Sequence, residues 1–223
     1  MSSSSECPHV VNREGIVFAL VGPAGVGKTT LCSKLIAEFS GDLVLSVSAT
    51  TRHPRHDEIN GISKHFLSRE QFQAKIDSGE LFEWEEVHGN YYGTLHQTLK
   101  ESIYGGKDLL LDIDVRGALK FKSQLPLLTI ICFVLPPTFA ELEKRILGRS
   151  PVSKGELDTR LDTAKEEYRI MRELLHAKRS VDYLVVNDIR DHTYQCVRSQ
   201  LLAERTKATR ILSEDISTIC RLN

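Results

Sequence analysis

The sequence has almost no surplus of charge. Lys plus Arg number 29 and Asp plus Glu 30, a formal net charge of −1. That excludes a whole-protein basic field for nucleic-acid polymers and an acidic disordered chain. Paired cysteines are also missing: the five, Cys7, Cys32, Cys132, Cys196 and Cys220, are odd in number, far apart and form no C-x-x-C. This argues against a disulfide framework or zinc knuckle and for a reducing compartment. No apolar run approaches the roughly 18 residues of a membrane span. Met1 to Glu6, with four serines, has neither the basic start nor the apolar stretch of a secretory signal. The expectation is a soluble, cytoplasmic protein with neither membrane nor nucleic-acid polymer as partner; the sequence sets no oligomeric state. What is present is ordinary globular composition, 41% hydrophobic and 26% charged over 223 residues. A chain this long buries roughly 70% of its unfolded surface.

Hydrophobic patterning alternates between strand and helix. Residues 1–14 read as a polar lead-in. Ile16 to Val21 is a continuous apolar run of strand length, as expected for a strand covered on both faces. A helix over Thr30 to Phe39 and a strand over Leu43 to Val47 follow. Residues 49–64 read as a loop, Gln71 to Ile76 as a short helix, and 81–92 as short antiparallel strands. Leu95 to Ile103 reads as a helix stopped by Gly105 and Gly106. Strands Leu109 to Ile113 and Thr129 to Leu135 flank a crossover helix at Gly117 to Phe121. Helices at Thr138 to Leu147 and about 156–178, a strand at Tyr183 to Val186 and a helix from Arg190 complete the chain. The pattern predicts an α/β fold with a five-stranded parallel sheet and crossover helices. The segment 48–94 breaks the alternation, and insertions at the carboxyl ends of strands are where such folds place ligands.

Gly22-Pro23-Ala24-Gly25-Val26-Gly27-Lys28-Thr29 fits G-x-x-x-x-G-K-[ST] between an apolar strand and a helix. Its glycines let consecutive N–H groups turn toward one anion, and the helix N-terminus adds partial positive charge. Lys28 supplies a mobile cation for β- and γ-phosphates, and Thr29 a hydroxyl for Mg²⁺. Thr30 continues the ATP-side loop. Leu109-Leu110-Leu111-Asp112-Ile113-Asp114 ends an apolar strand in acids that can hold a metal-bound water or a ligand group. Period-two alternation puts Asp112 and Asp114 on one side, directed into one cleft.

Arg52 and Arg55 stand three residues apart with Pro54 between them. Two forked guanidiniums on a stiff loop suit a phosphate monoester, and a solvated charged loop is the alternative. Glu83, Tyr92 and Thr94 add a carboxylate, a phenol and a hydroxyl. Guanine presents N1–H and N2–H₂ as adjacent donors and O6 as an acceptor. A carboxylate such as Glu83 accepts from both donors and a Ser or Thr hydroxyl donates to O6. Adenine would leave such groups unpaired, and sites of this kind reject the wrong partner by roughly 10⁴-fold.

The runs SVSATTRHPR, FEWEEVHGNYYGT, LLLDIDVRG, VLPP and VVND, in this order after the phosphate loop, closely resemble the guanylate kinase family over about residues 15–205. The resemblance implies a nucleoside monophosphate kinase that moves the γ-phosphoryl group of ATP to GMP or dGMP with Mg²⁺. It implies a core at 15–47, 95–140 and 180–205, a GMP-binding insertion at 48–94, a lid at about 141–165 and a C-terminal extension at 206–223. By matched position, Arg52, Arg55 and Tyr92 would hold the GMP phosphate, with Glu58 bracing the arginines. Ser48, Glu83, Thr94 and Asp114 would contact guanine, with Asp112 alongside as a further GMP or metal contact. Arg145, Arg149 and Arg160 would approach the phosphates on closure, and Asn187 would lie near adenine. Lys64 stands where the family has a tyrosine on the GMP phosphate, and a lysine can serve there as a point charge. Asp57, Arg116 and Ser150 also depart from the pattern. Trp84 reads as a packing residue, and His53, His56, His65 and His88 as solvated loop positions.

Two other readings use the same residues. Guanylate-kinase-like scaffold modules bind phosphopeptides in the same cleft but typically have a degraded phosphate loop, whereas Lys28 and Thr29 are present here. A kinase of another phosphate monoester would give Glu83 and Thr94 no base to read.

Overall fold

A computed structural model describes residues 13–56, 58–87, 89–103, 105–149, 153–177 and 180–210. Asp57, His88, Ser150, the lead-in 1–12 and the C-terminal stretch from Ile211 to Ile219 lie outside the described residues, as does the side chain of Arg149.

In chain order the elements are β1 (Val17–Val21), α1 (Lys28–Glu38), β2 (Leu43–Leu45), β3 (Ala49–Thr50), β4 (His65–Phe66), α2 (Arg69–Asp77), β5 (Leu81–Val87) and β6 (Asn90–Leu95). There follow α3 (His96–Ser102), β7 (Asp108–Asp112), α4 (Val115–Gln124), β8 (Thr129–Leu135), α5 (Phe139–Arg149), α6 (Lys154–His176), β9 (Tyr183–Val186) and α7 (Arg190–Arg205). Five strands form a parallel sheet in the order β2-β7-β1-β8-β9. β1 is central, and all its residues are buried because helices cover both faces. Phe18 and Leu20 face one core, with Leu31 and Leu35 of α1, Leu142 of α5 and Val197 of α7. Val17, Ala19 and Val21 face the other, with Leu99 of α3, Ala118 and Phe121 of α4 and the second half of α6. That two-sided burial is why the strand reads as an unbroken apolar run.

The chain leaves β1 for β2 on one side and crosses from β7 to β8 on the other. The cleft at the carboxyl end of β1 is therefore the point where the winding changes direction, the usual ligand position in such sheets. The inserted segment forms a separate four-stranded sheet, β4-β3-β6-β5, around Ala49, Phe72 and Leu81. Ser68 caps α2 through its hydroxyl, and Gln71 returns the bond to the Ser68 amide.

The largest difference from the sequence reading lies in 49–64. This stretch was expected to be loop, yet Ala49–Thr50 pairs antiparallel with β6 and parallel with His65–Phe66. Two-residue strands are too short to show a period. Asp114 is likewise not a strand residue: β7 ends at Asp112, and Asp114 is the N-cap of α4, its Oδ1 accepting from the Gly117 amide at 2.7 Å.

Candidate active site

The phosphate loop joins β1 to α1. Gly22, Gly25 and Gly27 all have positive φ. A Cβ at Gly22 would lie 2.3 Å from the Val134 carbonyl oxygen, and one at Gly27 would lie 2.4 Å from Asn187 Nδ2. Only glycine meets both demands. α1 starts with no side-chain cap and no acid in its first turn, so its leading N–H groups face the loop. Lys28 Nζ donates to the carbonyls of Gly22 and Pro23 and lies 3.9 Å from Asp112 Oδ1. Thr29 Oγ1 donates to Asp112 Oδ2 at 3.0 Å. Thr30 follows on α1 and is exposed.

Asp112 and Asp114 therefore sit on different elements, Asp112 at the end of β7 and Asp114 at the N-cap of α4, while the charge of Lys28 reaches both. Asp112 stands with Lys28 and Thr29 on the phosphate-loop side rather than with the proposed guanine contacts. Asp114 turns toward the insertion: a Cβ on Gly117 would lie 3.2 Å from both Asp114 Oδ1 and Glu83 Oε2. The break at Ile113 is the cause, because leaving the strand ends its period-two alternation.

Glu83 on β5 pairs across the strands with Thr94 on β6, after a register shift between Leu81 and Glu83. Thr94 Oγ1 donates to Glu83 Oε1 at 2.7 Å, and both residues are buried. Burial pushes the Glu83 carboxyl up to about 7; the Thr94 bond opposes this, and the nearby Asp114 charge reinforces it. Burial also raises Asp114. Ser48 is buried before β3, its carbonyl accepting from the His65 amide at 2.9 Å.

A buried acid with a raised pKa makes stability depend on pH. Between the usual 4.5 and about 7 the folded state holds the Glu83 proton and the unfolded state does not. Stability from this group is therefore highest below 4.5 and falls as pH rises through 7. The difference corresponds to roughly 3 kcal/mol. Urea midpoints at pH 5, 6, 7 and 8 will show wild type losing stability relative to Glu83→Gln by this order. Parallel pH curves for the two proteins would refute the assignment.

On the opposite wall Arg52 donates to both oxygens of Glu58, at 2.8 and 2.9 Å. The Arg55 amide donates to Glu58 Oε2 at 2.8 Å, and the Arg55 guanidinium lies 3.8 Å from Oε1. Burial alone would raise Glu58, but the Arg55 amide and the Arg52 guanidinium hold it below the usual carboxylate range. The carboxylate fixes the direction of both arginines. Tyr92 pairs with Thr50 across β3 and β6, beside this loop. Lys64 lies among the same charges. Burial lowers its ammonium, Asp112 opposes that, and Arg52 and Arg55 add to it.

The remaining expected residues come from the last third of the chain. Arg145 on α5 donates to Glu141 Oε1 at 3.0 Å and to the Asn187 carbonyl at 2.9 Å. Arg160 on α6 donates to Glu156 at 2.6 Å. Asn187 is buried behind the phosphate loop; Nδ2 donates to the Val26 carbonyl at 2.7 Å, while Oδ1 has no partner. Arg116 reaches Glu166 at 3.4 Å. Trp84, expected to pack, is 37% exposed; it lies edge-on to Tyr91 and under Lys120 Nζ. The sequence reading missed Glu141 and Glu156, which hold the two arginines in this conformation. It also missed Glu167, an acid inside the apolar stripe of α6; an acid at helical spacing among Leu157, Leu161, Ala164 and Met171 was the available signal.

Among the described residues no helix is long and apolar enough to cross a membrane. The guanylate kinase family model matches residues 14–204. A guanylate kinase of Halalkalibacterium halodurans is 41% identical over 202 residues, covering 91% of this chain and 95% of that protein. One of Geobacter metallireducens is also 41% identical over 202 residues, with the same coverage. The crystal structure of a guanylate kinase from Anaplasma phagocytophilum superposes with a TM-score of 0.72 at 30% identity, covering 89% of this chain and 90% of that one.

Proposed function

This chain belongs to the guanylate kinase family, and from that premise we propose that it catalyses transfer of the γ-phosphoryl group of ATP to GMP or dGMP, giving ADP and GDP, in purine nucleotide metabolism. The observation that carries the reading is the pairing of an intact phosphate loop with a buried Glu83–Thr94 pair across the same cleft. The first needs a polyphosphate; the second needs a base with two adjacent donors and an acceptor.

On this reading Lys28, the loop residues Gly22 to Thr30, each but Pro23 with a backbone N–H able to donate, and Asn187 hold ATP. Arg52, Arg55, Lys64 and Tyr92 hold the acceptor phosphate, and Glu58 aims the arginines. Ser48, Glu83, Thr94 and Asp114 read guanine. Arg145, Arg149 and Arg160 belong to a lid at about 141–165 that closes over the phosphates, on an insertion-bearing domain of about 15–205. Closure must break the bonds of Arg145 to Glu141 and of Arg160 to Glu156, which are exchanged for charge-assisted bonds to phosphate. The acceptor is already an anion, so no strong general base is required, and catalysis is alignment plus charge neutralisation in a cleft that excludes water. A hydroxyl and a carboxylate already bonded to each other, Thr29 and Asp112, fit Mg²⁺. Those two residues would hold the ion, which would supply charge neutralisation at the transferring phosphoryl group. Free buried cysteines, Cys32 and Cys132, agree with a cytoplasmic location.

A panel of GMP, dGMP, AMP, UMP and CMP with ATP, read as ADP formation, tests this. GMP and dGMP should be phosphorylated and AMP rejected by roughly 10⁴-fold, with that ratio collapsing in Glu83→Ala. Equal use of AMP, or no turnover on GMP by folded protein, would overturn the reading.

A further inference from the structure

Helix α6 packs on both cores. Leu157, Leu161 and Ala164 lie against the core of α1 and α5. Tyr168, Met171 and Leu174 lie against the core of α4. Glu167 stands between these two sets, 8% exposed. Its Oε2 is buried and accepts no hydrogen bond. The charged groups that reach it are Lys28, at the start of α1, and Asp114, at the N-cap of α4; burial pushes the carboxyl up to about 7, Lys28 pulls it down and Asp114 pushes it up. A buried acceptor left unmet is destabilising, so an apolar side chain here would be cheaper for the fold alone.

The partner that fits is a donor arriving with the ligand. A carboxylate takes donors only and repels phosphate oxygens. Mg²⁺ has about six octahedral positions and keeps several waters, because it dehydrates reluctantly. Among the described residues no three His, Cys, Asp or Glu converge as direct metal ligands, so water would fill much of such a shell and would need acceptors. Asp112 accepts from Thr29, and Asp114 is engaged by the Gly117 amide. Glu167 is a buried carboxyl facing Lys28 with an oxygen still open.

We propose that Glu167 is a positioning residue whose Oε2 accepts from the water shell of the nucleotide-bound divalent cation. It thereby fastens α6, which carries Arg160 two turns earlier, to the metal–nucleotide complex. The proposal rests on the kinase reading above and adds an outer acceptor to its metal site. It explains why an acid occupies the apolar stripe at the place where α6 passes from one core to the other.

The test is calorimetric and needs no turnover. A non-hydrolysable ATP analogue is titrated into wild type, Glu167→Leu and Glu167→Gln, each with Mg²⁺ and with EDTA. Removing an outer acceptor typically costs 10–100-fold in metal affinity. The gain in nucleotide affinity on adding Mg²⁺ should therefore fall about tenfold or more in Glu167→Leu. In Glu167→Gln it should fall about threefold, because the uncharged oxygen still accepts, more weakly. Affinity in EDTA should not change. Melting curves should place both variants at or above wild type at pH 8. If Glu167→Leu does not fold, the isosteric Glu167→Gln decides alone. Folded variants with the full wild-type metal gain would overturn the role of Glu167 and leave the kinase reading standing. Wild type that binds no nucleotide would overturn both.

Discussion

Lys28→Ala will lower kcat on ATP and GMP by about 10³-fold while the protein stays folded. The magnitude follows from what the ammonium does. It is held by two backbone carbonyls, of Gly22 and Pro23, with Asp112 beyond them at 3.9 Å. These are weak tethers for a cation, and a polyphosphate in the loop offers it stronger partners. A preorganised donor aimed at charge developing on the transferring group is typically worth 10²–10³ in kcat, or roughly 3–4 kcal/mol. The Lys28 side chain lies outside both hydrophobic cores, so circular dichroism and Tm should change little. The proposed acceptor contacts lie mostly in the inserted segment, so the KM for GMP should stay within about threefold, the pattern of an interaction felt mainly in the transition state. Steady-state kinetics with calorimetry of GMP binding checks both halves. Near-normal turnover would remove Lys28 from the mechanism, and an unfolded variant would show the loop to be structural.

The second large effect lies at the far end of the sheet. Asp108 opens β7 with a side chain that is 0% exposed. Its carboxylate accepts from Arg13 at 2.6 and 2.8 Å, from Arg205 at 2.6 Å and from the Ile16 amide at 3.0 Å. One side chain thus ties the entry to β1, the start of β7 and the end of α7. Asp108→Asn keeps the shape and removes the charge, leaving two nearly buried guanidiniums without their counterion. Breaking a buried pair in this way costs about 3–5 kcal/mol, and for a chain of this size that lowers Tm by about 10 °C. Asp108 and Asp112 sit at opposite ends of one strand, about 13 Å apart. The kcat of the folded fraction should therefore be close to wild type at 20 °C. Calorimetric melting with kinetics at that temperature tests the pair of statements; a loss of stability below about 1 kcal/mol would mean the network is worth no more than surface pairs.

These two residues show what the sequence made legible. Lys28 was readable because the phosphate loop encodes its chemistry locally: glycines at fixed spacing, a strand before and a helix after. Asp108 was not readable, since an acid at the start of an apolar run looks like any strand boundary. Its partners are 95 and 97 residues away. Glu58 and the arginines behave like Lys28, since all three lie within seven positions on one loop. Glu83 and Thr94 fall between the two cases. Their types suggested base recognition, but only the β5–β6 register, with its shift after Leu81, places the hydroxyl 2.7 Å from the carboxylate and buries both. Burial in turn moves the carboxyl to about 7.

By itself the sequence determined the α/β alternation, the buried central strand and the phosphate loop, and placed two arginines on one short loop. Each is written in contiguous residues through period, glycine conformation or charge. The tertiary structure decided which acids share a cleft. It put Asp112 at the end of β7 and Asp114 at the N-cap of α4, and brought Asp114 to Glu83. It gathered Arg13 and Arg205 onto Asp108, and brought Glu167 within reach of the Lys28 charge on a helix that begins 126 residues after Lys28. The physical reason is that a carboxylate's chemistry is set by its burial and its nearest charges. Those are properties of chain segments that meet only when the two cores close around β1.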